Sequence, residues 1–174
     1  MTLLEIMIVT VITGIIAAIG TPSLMAMLQG DQVKQGLNQI QLALQDAQKQ
    51  AIRNSKKCTI KIEKKSGDDY FSLDIDRDDP DEDNDGCLGG VDRELPESVE
   101  VVMNGNQLQG GVTFSFKGTT TEKGTLVVRP TKGQGVQRCL VISDGLGIMR
   151  TGIYDANAAN NTIDANYCEK LTPN

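Results

Sequence analysis

An α+β fold, with a long N-terminal helix packed on an antiparallel β-sheet, is what this 174-residue sequence predicts. Three observations carry that expectation. Positions 3–28 form an apolar run broken by a single formal charge, Glu5. From Val33 to Ala51 apolar residues recur at steps of three and four, the mark of an amphipathic helix. From Cys58 onward, short alternating segments succeed one another about every 10 residues, with glycine at most corners.

The first element, 1–28, is apolar on every face, which sets it apart from the core helix of a globular domain. Roughly 20 helical residues at about 1.5 Å each span a bilayer. The segment is therefore expected to sit in a membrane or inside a bundle of helices. No Lys or Arg precedes Lys34 and no small-residue cleavage site stands out, so a secretory signal peptide is not expected. Gly14, Gly20 and Pro22 weaken the helix. Pro22 lacks a backbone donor and its ring crowds the Ala18 carbonyl, which predicts a kink or local melting between Gly14 and Pro22.

The second element, 29–55, continues the helix in amphipathic form. Val33, Leu37, Ile40, Leu44, Ala47 and Ala51 line one face, and Gln35, Asn38, Gln45, Gln48 and Lys49 fill the others. Such a face needs a sheet to lie on, and the helix should stop near Asn54 and Ser55.

Residues 56–174 read as a β-rich domain. "CTIKIEKK" and "YFSLDID" flank "SGDD", a hairpin signal. "VEVVM", "VTFSF", "TLVVRP" and "QRCLVIS" are further strands, and "SDG" turns the chain into "LGIMRTG". The tail from Asp155 is polar and irregular, with Cys168 as its expected tether.

Cys58, Cys87, Cys139 and Cys168 show no C-x-x-C pair and the chain has no histidine, which disfavours zinc and redox motifs. Two disulfides in an exported domain are expected instead. Of the three connectivities, Cys58–Cys87 with Cys139–Cys168 is favoured, because each pair closes a loop of about 30 residues. The net charge of −6 is unevenly spread: 14 acidic residues against Arg77 and Arg93 lie between Asp68 and Glu100, leaving 9 acidic and 15 basic residues elsewhere. The acidity is local and characterises one segment rather than the whole surface.

Met1, Thr2, Leu3, Glu5, Gly14 and Pro22, in "MTLLEIMIVTVITGIIAAIGTPSL", resemble the mature N-terminus of a type IV pilin or pseudopilin. That family carries an aromatic residue or Met at position 1, Thr at 2, Leu at 3, Glu at 5 and an apolar helix ending near a Pro. "QVKQGLNQIQLALQDAQKQAIRN", "VTFSFKG", "GTLVVRP" and "RCLVISDGLGIMRTG" are similar to the FimT-like and H-type pseudopilin branch.

The resemblance implies that Met1 is a processed, N-methylated terminus. It implies that Glu5 pairs with the residue-1 amine of a neighbouring subunit and sets axial register. Thr2, Gly14 and Pro22 complete the assembly motif. Physics agrees on Glu5: a charge at a helix centre in lipid costs about 2.5–3.5 kcal/mol, whereas near the segment's end it reaches the interface. In a dry filament core the carboxylate needs a cation. The expected partners are other pilins in a homopolymer or mixed filament, the inner membrane before assembly, and the pilus assembly machinery. The expected function is a structural subunit of a bacterial type IV pilus, on the cell surface after assembly, in adhesion, motility or DNA uptake. The alternatives are a pseudopilin of a type II secretion system and a membrane-anchored calcium-binding ectodomain that does not polymerise. Some FimT-like proteins bind DNA through Gly-Arg-x-Arg. Here Gly147, Ile148, Met149 and Arg150 stand in its place, so Arg150 is the one candidate DNA contact and Ile148 departs from the pattern.

The acidic loop 74–94 contains "DEDNDGCLGGVD". Asp81, Asp83, Asp85 and Gly86 fit the opening D-x-D-x-D-G of a calcium loop, with the Cys87 carbonyl at position seven and Asp92 at position twelve. Hard oxygen ligands at alternate positions suit Ca²⁺. Upstream, Asp74, Asp76 and Asp78 repeat the spacing. Enzyme chemistry is not expected: the chain has no histidine, no G-x-S-x-G and no Walker loop.

Overall fold

Leu3–Asn54 forms one helix, α1, of 52 residues. The computed structural model describes residues 2–64, 71–75, 87, 93–104, 108, 111–132, 135–156 and 162–170, leaving out the side chains of 17–24, 26, 74, 75, 93 and 170. The helix stops where expected. Ser55 takes the left-handed conformation at φ 54° and its amide closes back onto the Ala51 and Ile52 carbonyls. It also runs through Gly14, Gly20 and Pro22 without interruption, so the expected melting is not seen. A proline deletes one bond at a cost of about 3 kcal/mol, which a long cooperative helix absorbs.

Val33, Leu37, Ile40, Ala43, Leu44, Ala47 and Ala51 are all buried, so the periodicity in the sequence marks the packed face. Gly36 lets the helix come close: a Cβ there would stand 3.3 Å from Val99 Cγ2.

Among the described residues nine strands follow: β1 (Cys58–Lys64), β2 (Phe71–Ile75), β3 (Arg93–Glu94), β4 (Val99–Met103), β5 (Val112–Phe114), β6 (Gly124–Pro130), β7 (Gln137–Ile142), β8 (Met149–Tyr154) and β9 (Cys168–Lys170). They form two antiparallel sheets rather than one, in the orders β3-β2-β1-β5 and β4-β6-β7-β8-β9. The chain exchanges sheets at β4 and β5. β5 turns back to β1 while β4 joins β6, and Leu108 between them is buried against Gly124. Both sheets deliver side chains to one core under the amphipathic half of α1: Ile60, Leu73 and Phe114 from the first, Val99, Leu126, Val128, Leu140 and Ile142 from the second.

Strict alternation sends the other residues of the second sheet outward. There Val127, Cys139, Val141, Tyr154 and Cys168 make a second, smaller apolar cluster, covered by Ile163, Ala165 and Tyr167 of the C-terminal segment. The described segment 162–170 of this tail is more regular than its polar sequence suggests. It forms a 3-10 turn at Ala165–Tyr167 and then β9, which pairs with β8. Both disulfides have the expected connectivity, Cys58–Cys87 and Cys139–Cys168, with Cα separations of 5.5 and 5.8 Å.

β9 lies close because residue 152 has no side chain. A Cβ on Gly152 would run into the Glu169 carbonyl and stand 3.1 Å from Cys168 Sγ. Backbone cannot yield as a flexible side chain does, so Gly152→Val is expected to unseat β9. Hydrogen exchange should show lost protection at 168–170 with the α1 amides of 33–51 unchanged.

Glu122 fastens the β5–β6 connection. Its carboxylate accepts from Thr120 Oγ1 at 2.6 Å, Thr121 Oγ1 at 3.1 Å and the Thr113 amide at 3.2 Å. Burial pushes this carboxyl up, but the hydrogen bonds from Thr120, its own amide, Thr121 and Thr113 outweigh it and hold it below the usual range. A depressed folded pKa stabilises the fold above the unfolded value, about 4.3 for Glu. That contribution is lost as pH falls through the lower folded value. Thermal melts between pH 6 and pH 3 should therefore drop more steeply for the native chain than for Glu122→Gln.

Candidate functional site

The head of α1 is built by two residues. The Thr2 amide donates to Glu5 Oε2 at 3.3 Å, and the Glu5 amide donates to Thr2 Oγ1 at 3.4 Å. This is a reciprocal capping box, which satisfies two of the amides that a helix start leaves open. The T-x-x-E spacing is legible in the sequence, but the N-terminal resemblance assigns Glu5 to a neighbour's amine and passes over the partner three residues away. Both residues are exposed.

Beyond the cap, the other polar side chains described in this half are already engaged. Thr10 Oγ1 donates to the Met7 carbonyl at 2.9 Å and Thr13 Oγ1 to the Val9 carbonyl at 2.7 Å. Leu3, Leu4, Ile6, Met7, Ile8, Val9, Val11, Ile12, Ile15 and Ile16 are each more than half exposed. An apolar surface of this extent marks a site of association with protein or lipid. Among the described residues no helix is long and apolar enough to cross a membrane; the described apolar side chains stop at Ile16 before resuming at Met25. Gly14 lies within this half with open space where a Cβ would stand. Met1 and the Pro22 side chain lie outside the described residues.

Of the calcium-loop residues, Asp81, Asp83, Asp85 and Asp92 lie outside the described residues, as do Asp76, Asp78 and the Asp74 side chain. Cys87 is described: it is buried and ties the acidic loop to the first residue of β1 through Cys58. Among the described residues no group of three or more His, Cys, Asp or Glu could hold a metal ion. Arg150 is exposed on the outer face of the second sheet, where its Nη2 donates to the Ala165 carbonyl of the tail at 3.3 Å. Gly147 before it adopts φ 62°, and Ile148 is exposed.

The opposite end of α1 is clamped to the domain. Gln48 Nε2 donates to the Gly118 carbonyl at 2.8 Å and to the Leu146 carbonyl at 3.1 Å, joining two loops to the helix. The Thr120 and Gly145 amides donate to each other's carbonyls at 2.9 Å and hold those loops together. One helix thus carries a folded domain on its second half and a bare apolar surface on its first.

Comparison with known families places this architecture. The family model for the type II transport protein GspH matches residues 37–145. The chain belongs to the GspH family. The match runs from the packed half of α1 through both sheets to the turn after β7. It begins beyond the N-terminal motif, so that motif and the GspH match rest on separate stretches of sequence. As a GspH member the chain is a pilin-like subunit of type II secretion, which assembles with other pilin-like subunits and with the secretion machinery. No curated protein and no solved structure matches the chain.

Proposed function

We propose that this GspH-family chain is a pseudopilin, a structural and non-catalytic subunit of a periplasmic type II secretion filament held in the inner membrane before assembly. The observation that carries the proposal is the division of α1 into a half buried under two sheets and a half left bare behind Glu5. In the filament the bare halves pack together, and burial of their apolar side chains drives assembly at about 25 cal/mol per Å² removed from water. Glu5 then exchanges an uncharged amide partner for the residue-1 ammonium of a neighbour. A charge-assisted bond is roughly twice as strong as a neutral one, and more so where water is excluded.

Deletion of the gene tests the reading. Loss of type II secretion with surface fibres intact is the expected result. Loss of long surface fibres with secretion intact would instead favour the type IV pilus subunit. A chain that inserts in the membrane but never co-purifies with a filament would favour the anchored ectodomain.

The acidic loop 74–94 is proposed to hold one Ca²⁺ through Asp81, Asp83, Asp85, the Cys87 carbonyl and Asp92. Its support is the D-x-D-x-D-G spacing and the buried Cys58–Cys87 link, which anchors the loop at its seventh position. Calorimetry of the full chain in detergent should show one binding event, abolished by Asp81→Asn with Asp83→Asn. No heat at millimolar Ca²⁺ would remove the proposal.

A further inference from the structure

The inner face of the second sheet extends past the helix that covers it. α1 lies along β6 and β7: Gly36 sits over Val128 at one end, and Gln48 Nε2 donates to the Leu146 carbonyl beyond the other. Arg138, Leu140 and Ile142 of β7 pair with Ile153, Thr151 and Met149 of β8, and Ile153 pairs in turn with Glu169 of β9. Paired residues share a face, so all of these lie on the side of Leu140 and Ile142, which belong to the main core. Burial falls off across this face. Leu140 and Ile142 are 0% and 2% exposed, Met149 and Thr151 are half-buried, Ile153 is 41% exposed and Glu169 is exposed. β8 and β9 thus form a shelf beside α1.

One end of the shelf carries an unsatisfied cation. Arg138 is half-buried, its Nε is enclosed without a hydrogen-bond partner, and no described residue pairs with its guanidinium. A polar group held in that state costs free energy until an acceptor reaches it.

We infer that this shelf receives the bare apolar half-helix of a neighbouring pilin-like subunit, with Arg138 taking the carboxylate at its head. The inference rests on the filament reading above. Two strand spacings make about 10 Å. Helices pack side by side at about 8–10 Å, so the shelf beds one further helix alongside α1. Its chemistry complements a helix that this chain itself presents. Met149, Thr151 and Ile153 with one cation match the bare half of α1, an apolar surface whose one charge is Glu5.

The register follows. From Ile153 to Met149 the shelf runs about 13 Å, the length of about nine helical residues. With Glu5 at Arg138, Ile8, Val9 and Ile12 share its face and lie over the strand. Arg138 pairs with Val128, beneath Gly36, so the incoming helix runs parallel to α1, as subunits of one polarity require. A carboxylate has two oxygens, so the ammonium pairing proposed for Glu5 leaves one for Arg138. The second half of such a helix does not fit the shelf. Its apolar stripe is already covered by its own sheets, and exposed Gln35, Asn38 and Lys49 face outward.

Photo-crosslinking in cells that assemble the filament tests this. Benzoylphenylalanine would replace Ile153, with exposed Phe116, in the β5–β6 connection, as the control position. Incorporation of each chain is read separately by co-purification with the filament. The expected result is at least tenfold more adduct from 153 than from 116, mapped by mass spectrometry to the N-terminal apolar helix of a pilin-like subunit. Arg138→Gln should leave the melting temperature of the full chain in detergent unchanged, because Arg138 Nε holds nothing there. The same substitution should lower the adduct from 153 at least fivefold. An incorporated chain with equal adducts from both positions, or with adducts only to a β domain, secreted cargo or lipid, overturns this inference alone. So does an adduct undiminished by Arg138→Gln. A chain absent from the filament overturns it together with the pseudopilin reading.

Discussion

Glu5→Ala is expected to leave the chain in the membrane and keep it out of the filament. The substitution removes both functions of the carboxylate. As a cap it satisfies the Thr2 amide at 3.3 Å, and loss of a capping interaction costs about 1 kcal/mol. As the proposed partner of a neighbour's ammonium it supplies a charged hydrogen bond of about 1.5–3 kcal/mol. The first loss falls on the isolated subunit and the second only on assembly. Membrane fractionation should therefore give near-native levels, while co-purification with the filament should fall roughly tenfold or more, since about 1.4 kcal/mol is a factor of ten. Glu5→Gln separates the roles, because Gln also serves at this position of a capping box but carries no charge. Incorporation that stays low in Glu5→Gln supports the charge pairing. Full recovery would make Glu5 a cap and nothing more.

Opening the two disulfides is expected to have unlike consequences despite equal loops. Each bridges a sequence separation of 29 residues, so loop-closure entropy assigns both about 3–4 kcal/mol. Their surroundings differ. Cys58 and Cys87 belong to the main core under α1, whereas Cys139 and Cys168 belong to the smaller cluster beneath the tail. Replacing Cys58 and Cys87 by Ser should destabilise the whole domain, lowering the melting temperature and the protection of residues 33–51 together. Replacing Cys139 and Cys168 by Ser should release 162–170 first, with exchange rising there before the main core responds. Uniform loss of protection in both variants would mean that the clusters unfold as one unit.

Features written in local periodicity are legible in the amino-acid sequence. The buried stripe from Val33 to Ala51 and the stop at Ser55 follow from helical spacing and end chemistry. β1, β2, β4, β5, β6, β7 and β8 follow from alternation. Two strands escape for different reasons: β3 has only two residues, too few to alternate, and β9 lies in a polar tail where pairing with β8 and the link to Cys139 impose an extended form. The capping box escapes because the N-terminal resemblance offers Glu5 a more distant partner.

The sequence by itself determined that a bare apolar half-helix with one carboxylate at its head precedes an amphipathic half and a disulfide-bonded β domain. Each of these depends on residues within a few turns or strand lengths of one another. Only the tertiary structure decided that the strands divide into two sheets and that the C-terminal segment covers the outer face of the second. Pairing across long separations is set by which strands together cover the apolar side of α1, a competition among many contacts that no short window of sequence records.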